Sequence, residues 1–298
     1  MDFANYSNTT IAQHFYSRKE LRCNSNTAKE NKILRIKKTP KGPKLEGPVN
    51  IGSILCENDL YTFHRENNLR SNLENIFNGS ETISSKFINR DAINFFSEND
   101  LLKVIGLKLL NIFRSPFNHH LTEKIFKNFT DHPTRKNPEN ITFRNLLKNG
   151  NHKRPSQLQQ EFGLKENDRE IWLELIYTLA EESTNEKMHR PESLSRFICK
   201  ELFSYIEIHK YTQEIVAVCD RGYVELSDQN GLISLYFNLN KNTLLMISSP
   251  PIPNQPEGIM RRDIVDDIER LKFYNQEAFN QCHSRIYTAS KNILGVTK

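Results

Sequence analysis

The sequence predicts an α+β protein in which a mostly helical middle precedes an antiparallel sheet built from C-terminal strands. Three observations support this class. The chain of 298 residues has a globular composition, with 37% hydrophobic and 26% charged residues. Apolar residues recur at helical spacing in the middle, and β-rich runs separated by Gly, Asn and Asp follow Thr212. We expect one domain over 1–298, divided into a basic segment (1–50), a helical part (51–210) and a strand-rich part with a final helix (211–298).

The basic segment contains two predicted elements. Residues 11–24 favour a short helix or turn. The run "KILRIKK" at 32–38 alternates apolar and basic residues, as a half-buried strand does. A break rich in Pro and Gly follows at 39–48. The early strand is therefore a candidate addition to the C-terminal sheet.

The helical part has one strong start signal. Ser97 and Asp100 form a capping-box pattern, and Leu102, Ile105 and Leu109 then follow at helical spacing. Apolar spacing predicts further helices over the ranges 142–148, 168–183 and 192–210. The last of these includes Tyr205 and Ile208 among its apolar positions.

The strand-rich part predicts a meander and a closing helix. Its β-rich runs are "EIVAVCDRGYVEL", "LISLYFNL" and "NTLLMIS", and "RIYTAS" is a short last strand. The helical stripe before that strand consists of Ile264, Ile268, Leu271, Asn275, Ala278 and Cys282. Asn275 is the polar member, and a buried amide needs hydrogen-bonding partners. It is either a clamp between helix and loop or a site residue.

Charge and missing motifs narrow the function classes. The net charge is +5, and residues 1–50 hold ten Lys or Arg against four Asp or Glu. Basic blocks attract polyanions, so the predicted partner is nucleic acid, RNA rather than DNA; solvated loops are the alternative. No signal peptide or apolar membrane span is present, which predicts a cytoplasmic protein without a membrane partner. Neither a CxxC pair nor a nucleotide-binding or zincin motif occurs, so no cofactor or metal is predicted.

Several short phrases occur in a recognisable order. They are Gln13-His14-Phe15, Glu20 to Asn24, Asp59-Leu60-Tyr61, Glu74 and Glu81 seven residues apart, Arg114-Ser115-Pro116, "CDRGYVEL", and Asn275 with Arg285-Ile286-Tyr287. Together they resemble the bacterial domain-of-unknown-function family 4238 (DUF4238) over nearly the whole chain. The sequence departs from that pattern at Arg221-Gly222 and at Asn238. The resemblance implies no activity.

These phrases contain the candidate catalytic residues and the secondary candidates, and the basic segment contains the candidate nucleic-acid-binding residues. The candidate catalytic residues are His14, Arg22, Glu81 and Arg114. The candidate nucleic-acid-binding residues are Arg18, Lys19, Lys37 and Lys38. The secondary candidates are Glu74, Asp220, Asn275 and Arg285. A histidine that titrates near neutrality can transfer protons, and arginine can bind phosphate oxygens and stabilise the charge of a transition state.

Three interpretations stay open. The first is a metal-independent ribonuclease of the bacterial toxin or phage-defence type, because RNA cleavage through the 2′-hydroxyl requires only proton transfer and charge stabilisation. The second is a metal-dependent nuclease that uses Glu74, Glu81 and Asp220. The third is a non-catalytic binding or sensing module in which Arg22, Glu81 and Arg114 form a buried ion-pair network. A second copy of the chain or another protein is a further candidate partner.

Overall fold

The computed structural model of this protein describes residues 10–26, 31–64, 70–75, 77, 81–82, 88, 97–118, 133–149, 166–180, 205–213, 215–227, 233–248 and 260–297. The helices in these ranges are α1 (Arg18–Cys23), α2 (Glu98–Arg114), α3 (Pro138–Asn149), α4 (Glu166–Ala180) and α5 (Ile268–Gln281). The strands before α2 are β1 (Ala12–His14), β2 (Lys32–Thr39), β3 (Gly42–Asn50), β4 (Cys56–Asn58), β5 (Thr62–His64) and β6 (Arg70–Asn72). The strands after α4 are β7 (Tyr205–Lys210), β8 (Val218–Cys219), β9 (Val224–Ser227), β10 (Ile233–Asn240), β11 (Thr243–Ser248), β12 (Met260–Val265) and β13 (Arg285–Thr288). The predicted α+β class is confirmed.

The larger sheet has five strands in the order β12–β7–β11–β10–β9. The predicted antiparallel meander is confirmed, because β9, β10, β11 and β7 pair antiparallel in that order. β12 is the exception, since it runs parallel to β7. The closing helix is also confirmed as α5, but Ile264 lies in β12 instead of the helix.

The helix predicted over 192–210 is wrong at its C-terminal end, because residues 205–210 form β7. Residues 192–204 lie outside the described residues. Ile206 and Ile208 belong to one apolar cluster, whereas Glu207 and His209 form a hydrogen-bonded pair, so the segment alternates with a period of two. The apolar residues alone also fit helical spacing, and that coincidence explains the error.

The smaller sheet has four strands in the order β3–β2–β13–β8. The early strand predicted at 32–38 is confirmed and does pair with C-terminal strands, although in this second sheet. β2 and β3 form an antiparallel hairpin, and β13 pairs antiparallel with both β2 and β8. The first and last parts of the described chain are thereby joined.

Three apolar clusters organise these elements. α2 packs on one face of the five-stranded sheet, with Leu102 and Ile105 in the same cluster as Ile206 and Ile208. α5 packs between the other face of that sheet and the four-stranded sheet. The third cluster joins β1, α1 and the β4–β5 region to α3 and α4. The candidate site lies beside this third cluster.

The part between 51 and 210 is less helical than predicted. The helices α2, α3 and α4 are confirmed, and Ser97 and Asp100 make the predicted capping box. Two short ladders precede them, since β4 pairs with β1 and β5 pairs with β6. Strands of three residues are too short to produce a visible alternation. Within the described residues, every helix is too short or too polar to cross a membrane.

Candidate functional site

β1 holds the beginning of the candidate site in place. It pairs antiparallel with β4, and His14 lies opposite Cys56. The side chain of Gln13 is buried, where its Nε2 donates to the Thr62 hydroxyl at 2.7 Å and its Oε1 accepts the Tyr61 backbone N–H. Gln13 thus anchors β1 to the segment that leads into β5.

His14 is buried at the centre of the site, with only 6% of its surface exposed. Its backbone N–H donates to Glu74 Oε1 at 3.4 Å, and its carbonyl accepts Arg114 Nη2. Its ring atom Nε2 has no hydrogen-bonding partner among the described residues. The strand thus fixes the backbone of His14, and one ring nitrogen is buried without a hydrogen-bonding partner among the described residues.

The environment of His14 lowers the pKa of its imidazole to about 4. Burial is the largest cause, followed by the positive charges of Arg18 and Arg114, while a hydrogen bond with the Gly52 backbone and the charge of Glu81 act in the opposite direction. The prediction that His14 titrates near neutrality is therefore wrong. At pH 7 the ring is neutral, and a neutral imidazole can accept a proton.

Arg114 is fully buried at the last position of α2. Its Nη1 donates to Glu81 Oε1 at 2.7 Å, and its guanidinium lies 3.8 Å from the ring centre of Phe77. Burial acts to lower the pKa of Arg114, but the charges of Glu81, Tyr61 and Glu74 raise it overall. Because one terminal nitrogen binds Glu81 and the other binds the His14 carbonyl, the guanidinium ties β1 to α2.

Glu74 differs from Glu81 in its surroundings. Burial raises the pKa of Glu74, the charge of Glu81 adds to this, and Arg114 and Arg18 oppose it. Its Oε2 atom is buried and has no hydrogen-bonding partner among the described residues. Glu81 forms the ion pair with Arg114, whereas Glu74 has one carboxyl oxygen without a hydrogen-bonding partner among the described residues.

Arg18, and not Arg22, is the exposed arginine of this site. The Nη2 atom of Arg18 lies 3.5 Å from the position that a Cβ atom would take at Gly52. Arg22 is exposed one helical turn later and donates its Nε–H to Asn31 Oδ1 at 3.2 Å. The prediction that Arg22 joins His14, Glu81 and Arg114 is thereby corrected, because one turn moves a side chain about 6 Å along the helix.

The predicted nucleic-acid-binding lysines have separate positions. Lys19 donates to the hydroxyl of Thr82 at 2.6 Å, and Thr82 is the residue that follows Glu81. Lys37 lies on β2, directly opposite Arg285 of β13. Lys38 points away from that face and donates to the Asn280 carbonyl near the end of α5. Lys38 therefore supports the packing of α5 on the sheet, and its position does not favour the predicted binding role.

Asp220 and Asn275 are structural clamps. The Asp220 carboxylate accepts the backbone N–H groups of His283, Ser284 and Arg285 at 2.7 to 2.8 Å. Both carboxylate oxygens of Asp220 are therefore engaged by backbone donors, whereas the metal-dependent interpretation requires them to bind a metal ion together with Glu74 and Glu81. Among the described residues no group of three or more His, Cys, Asp or Glu side chains is placed to hold a metal ion.

Asn275 is fully buried in α5. Its Oδ1 accepts the Ala217 N–H at 2.9 Å, and its Nδ2 donates to the carbonyls of Ile215 and Leu294 at 3.1 and 3.2 Å. Every polar function of the amide therefore has a partner. Of the two interpretations of this residue, the structure supports the clamp.

A polar group that the sequence analysis missed lies on β7. Glu207 accepts from the Tyr205 hydroxyl at 2.9 Å and lies 2.9 Å from His209 Nε2. His209 is fully buried, and its Nδ1 has no partner among the described residues. The alternation of polar residues at 205, 207 and 209 could have predicted this strand and its polar group. It was overlooked because the segment was interpreted as a helix.

Comparison with known proteins adds no relative, because no protein-family model, curated protein or solved structure matches this chain. The resemblance to family 4238 therefore stays a prediction. The candidate site is defined by its own geometry: the cluster of His14, Arg18, Glu74, Glu81 and Arg114, which we call the His14 cluster.

Proposed function

We propose that this chain is a cytoplasmic, metal-independent ribonuclease of the toxin or phage-defence type, and that the His14 cluster is its active site. One observation carries the proposal. The neutral ring of His14 and the carboxyl group of Glu74 each have a buried polar atom without a partner among the described residues, and both groups lie within electrostatic range of the exposed Arg18. Perturbed acid and base groups beside an available cation are typical of active sites.

The roles follow from the charge states. His14 Nε2 accepts the proton of an RNA 2′-hydroxyl as the 2′-oxygen attacks the adjacent phosphorus. The bond from phosphorus to the 5′-oxygen then breaks, and that oxygen takes a proton from Glu74, whose raised pKa increases its protonated fraction. The products are a 2′,3′-cyclic phosphate and a 5′-hydroxyl. Each proton and each bond is thereby accounted for.

Arg18 and Arg114 have different parts in this proposal. Arg18 is exposed and stabilises the charge that develops on the non-bridging phosphate oxygens. Arg114 is a positioning residue, because Glu81 and the His14 carbonyl occupy both of its terminal nitrogens. A phosphate beside His14 also adds negative charge near the imidazole. That charge raises the pKa of His14 and makes it a stronger base when substrate is bound.

A non-catalytic binding or sensing module is the second candidate. The observation that favours it is the complete burial of Arg114 and its stacking on Phe77. An arginine in this setting can stabilise the fold without any part in chemistry. This candidate requires that substitution of His14 leave the biological effect unchanged.

The test is cleavage of a labelled RNA oligonucleotide by purified protein, with and without EDTA. We expect cleavage that persists in EDTA, stops when the scissile nucleotide is 2′-deoxy, and falls at least about 100-fold in His14→Gln. Arg18→Ala is expected to lower kcat strongly. Arg262→Ala is the matched control, since Arg262 is an exposed arginine on β12 and lies outside the His14 cluster.

Three outcomes would reject the ribonuclease. The first is intact RNA together with full viability of cells that overproduce the protein. The second is unchanged cleavage by a normally folded His14→Gln variant. Loss of cleavage in EDTA is the third, and it would favour the metal-dependent interpretation.

A further inference from the structure

A row of positive charges crosses three adjacent strands of the four-stranded sheet. Arg285 of β13 lies directly opposite Lys37 of β2, and Lys37 lies directly opposite Lys44 of β3. Directly opposed residues of antiparallel strands project from the same face. Neighbouring strands lie about 4.8 Å apart, so the row spans about 10 Å. We call these three residues the cation row.

The cation row has little negative charge beside it. Glu46 forms an ion pair with Arg35 at 2.7 Å and lies 3.6 Å from Arg285, so one carboxylate serves two guanidinium groups. The side chains of Lys37 and Lys44 form no hydrogen bond or ion pair with any other described residue. Like charges placed directly opposite each other destabilise a sheet. A bound polyanion would remove that repulsion.

The row is on a face that solvent reaches. Lys44 is exposed, and Lys37 and Arg285 are partly exposed. The opposite face of the same strands carries Ile36 and Ile286, which pack in the apolar cluster under α5. α5 therefore covers the opposite face and does not compete for the cation row. Farther along the face of the row, Tyr287 and its partner Val218 pack in the apolar cluster around β1 and α1.

Tyr287 connects the cation row to the His14 cluster. Burial and the charge of Asp220 raise the pKa of Tyr287, Arg285 and Arg35 lower it, and the Cys56 thiol raises it further. Cys56 is the residue opposite His14 in the β1–β4 ladder. Tyr287 follows Arg285 by two residues on β13 and packs in the same apolar cluster as Phe15, the residue after His14. The strand that carries Arg285 is thereby packed against the elements around His14.

We propose that the cation row binds the phosphate backbone of single-stranded RNA on the segment that flanks the nucleotide held at His14. This inference rests on the proposed ribonuclease for the identity of the polyanion. The contacts are to phosphates, so they supply affinity without sequence preference.

The test measures binding of a fluorescent 2′-O-methyl RNA oligonucleotide, which lacks the attacking hydroxyl and cannot be cleaved. We compare the wild-type chain with the double variant Lys37→Gln/Lys44→Gln. Lys148→Gln/Lys272→Gln is the control of equal charge, because these two lysines are exposed on α3 and α5. We expect the first double variant to weaken binding at least about 10-fold and the control less than about 2-fold.

Salt dependence sharpens the test. Each phosphate contact on a single strand contributes about 0.7 to the slope of log affinity against log salt, so the loss of two contacts should reduce the slope by about 1.4. Equal affinity and slope in the two double variants would overturn the proposal, as would tighter binding of duplex DNA or of an acidic protein. The His14→Gln variant separates RNA binding by the cation row from RNA cleavage at His14. If adding Lys37→Gln and Lys44→Gln to His14→Gln weakens binding, but the wild-type chain cleaves no RNA, the cation row is supported and the ribonuclease is rejected.

Discussion

The His14 cluster and the Asp220–Asn275 region differ in how completely their buried polar groups are satisfied. Asp220 binds three backbone N–H groups, and the Asn275 amide has a partner for both its oxygen and its nitrogen. His14 and Glu74 keep buried atoms without partners among the described residues. Buried polar groups are normally satisfied, so the unsatisfied atoms of His14 and Glu74 call for an explanation that Asp220 and Asn275 do not need.

The largest expected effect is the loss of the Asp220 clamp. Asp220→Ala leaves the backbone N–H groups of His283, Ser284 and Arg285 without their acceptor at the start of β13. Unpartnered buried groups cost about 1 to 3 kcal/mol each, and we expect a loss of about 4 kcal/mol in the free energy of unfolding. Urea denaturation followed by circular dichroism measures it.

Asp220→Asn tests the same clamp without removing the side chain. The amide keeps one acceptor oxygen, but its NH₂ group faces a backbone donor, so the expected loss lies between the alanine variant and wild type. If both variants are as stable as wild type, Asp220 is not a clamp and the comparison with the His14 cluster fails.

The next effect is a pH dependence that belongs to His14. The pKa of His14 falls from 6.5 in the unfolded chain to about 4 in the fold. Between these values the unfolded chain binds a proton that the folded chain does not, so stability declines as the pH falls through this window. The shift corresponds to about 3 kcal/mol over the full window. Urea denaturation at a series of pH values should show a shallower decline for His14→Gln.

The control for this experiment is the region above about pH 7.5, one unit above the unfolded pKa, where His14 is mostly neutral in both states. There the two proteins should show the same pH dependence. Equal slopes within the window from pH 6.5 to 4 would mean that folding does not change the pKa of His14, which contradicts the lowered pKa described for the His14 cluster.

Local signals predicted the elements that local interactions determine. Ser97 and Asp100 identified the start of α2, because a capping box is made within one helical turn. The segment 205–210 was misassigned, because its membership of the five-stranded sheet depends on β11 and β12, which lie further along the chain. Propensity and spacing carry no information about such partners.

The sequence predicted only part of the candidate site, because the contacts between distant segments that complete it are not visible in local patterns. The grouping of His14, Glu81 and Arg114 agrees with the ion pair of Arg114 and with its bond to the His14 carbonyl. The choice of Arg22 over Arg18 was wrong, because the two arginines lie one turn apart on α1. Only the approach of Gly52 to Arg18 distinguishes them, and a single sequence does not show that approach.

A smaller effect is expected at Asn275. Asn275→Ala removes an acceptor from the Ala217 N–H and a donor from two carbonyls, and we expect a loss of about 2 kcal/mol in the free energy of unfolding. Asn280→Ala is the matched control, because Asn280 is exposed on the same helix. If the two variants lose equal stability in thermal denaturation, the partners of Asn275 are not what stabilises α5.

The smallest expected effect on stability is at Arg18, and it provides the sharpest contrast. Arg18 is exposed, so Arg18→Ala should change the free energy of unfolding by less than about 0.5 kcal/mol, as Arg262→Ala should. Removal of its charge should nevertheless raise the pKa of His14, because that charge is the largest cause of the lowered value after burial. NMR titration of the His14 ring measures this shift directly. An unchanged pKa in a folded Arg18→Ala variant would separate Arg18 from the His14 cluster and leave the proposed reaction without its phosphate-binding group.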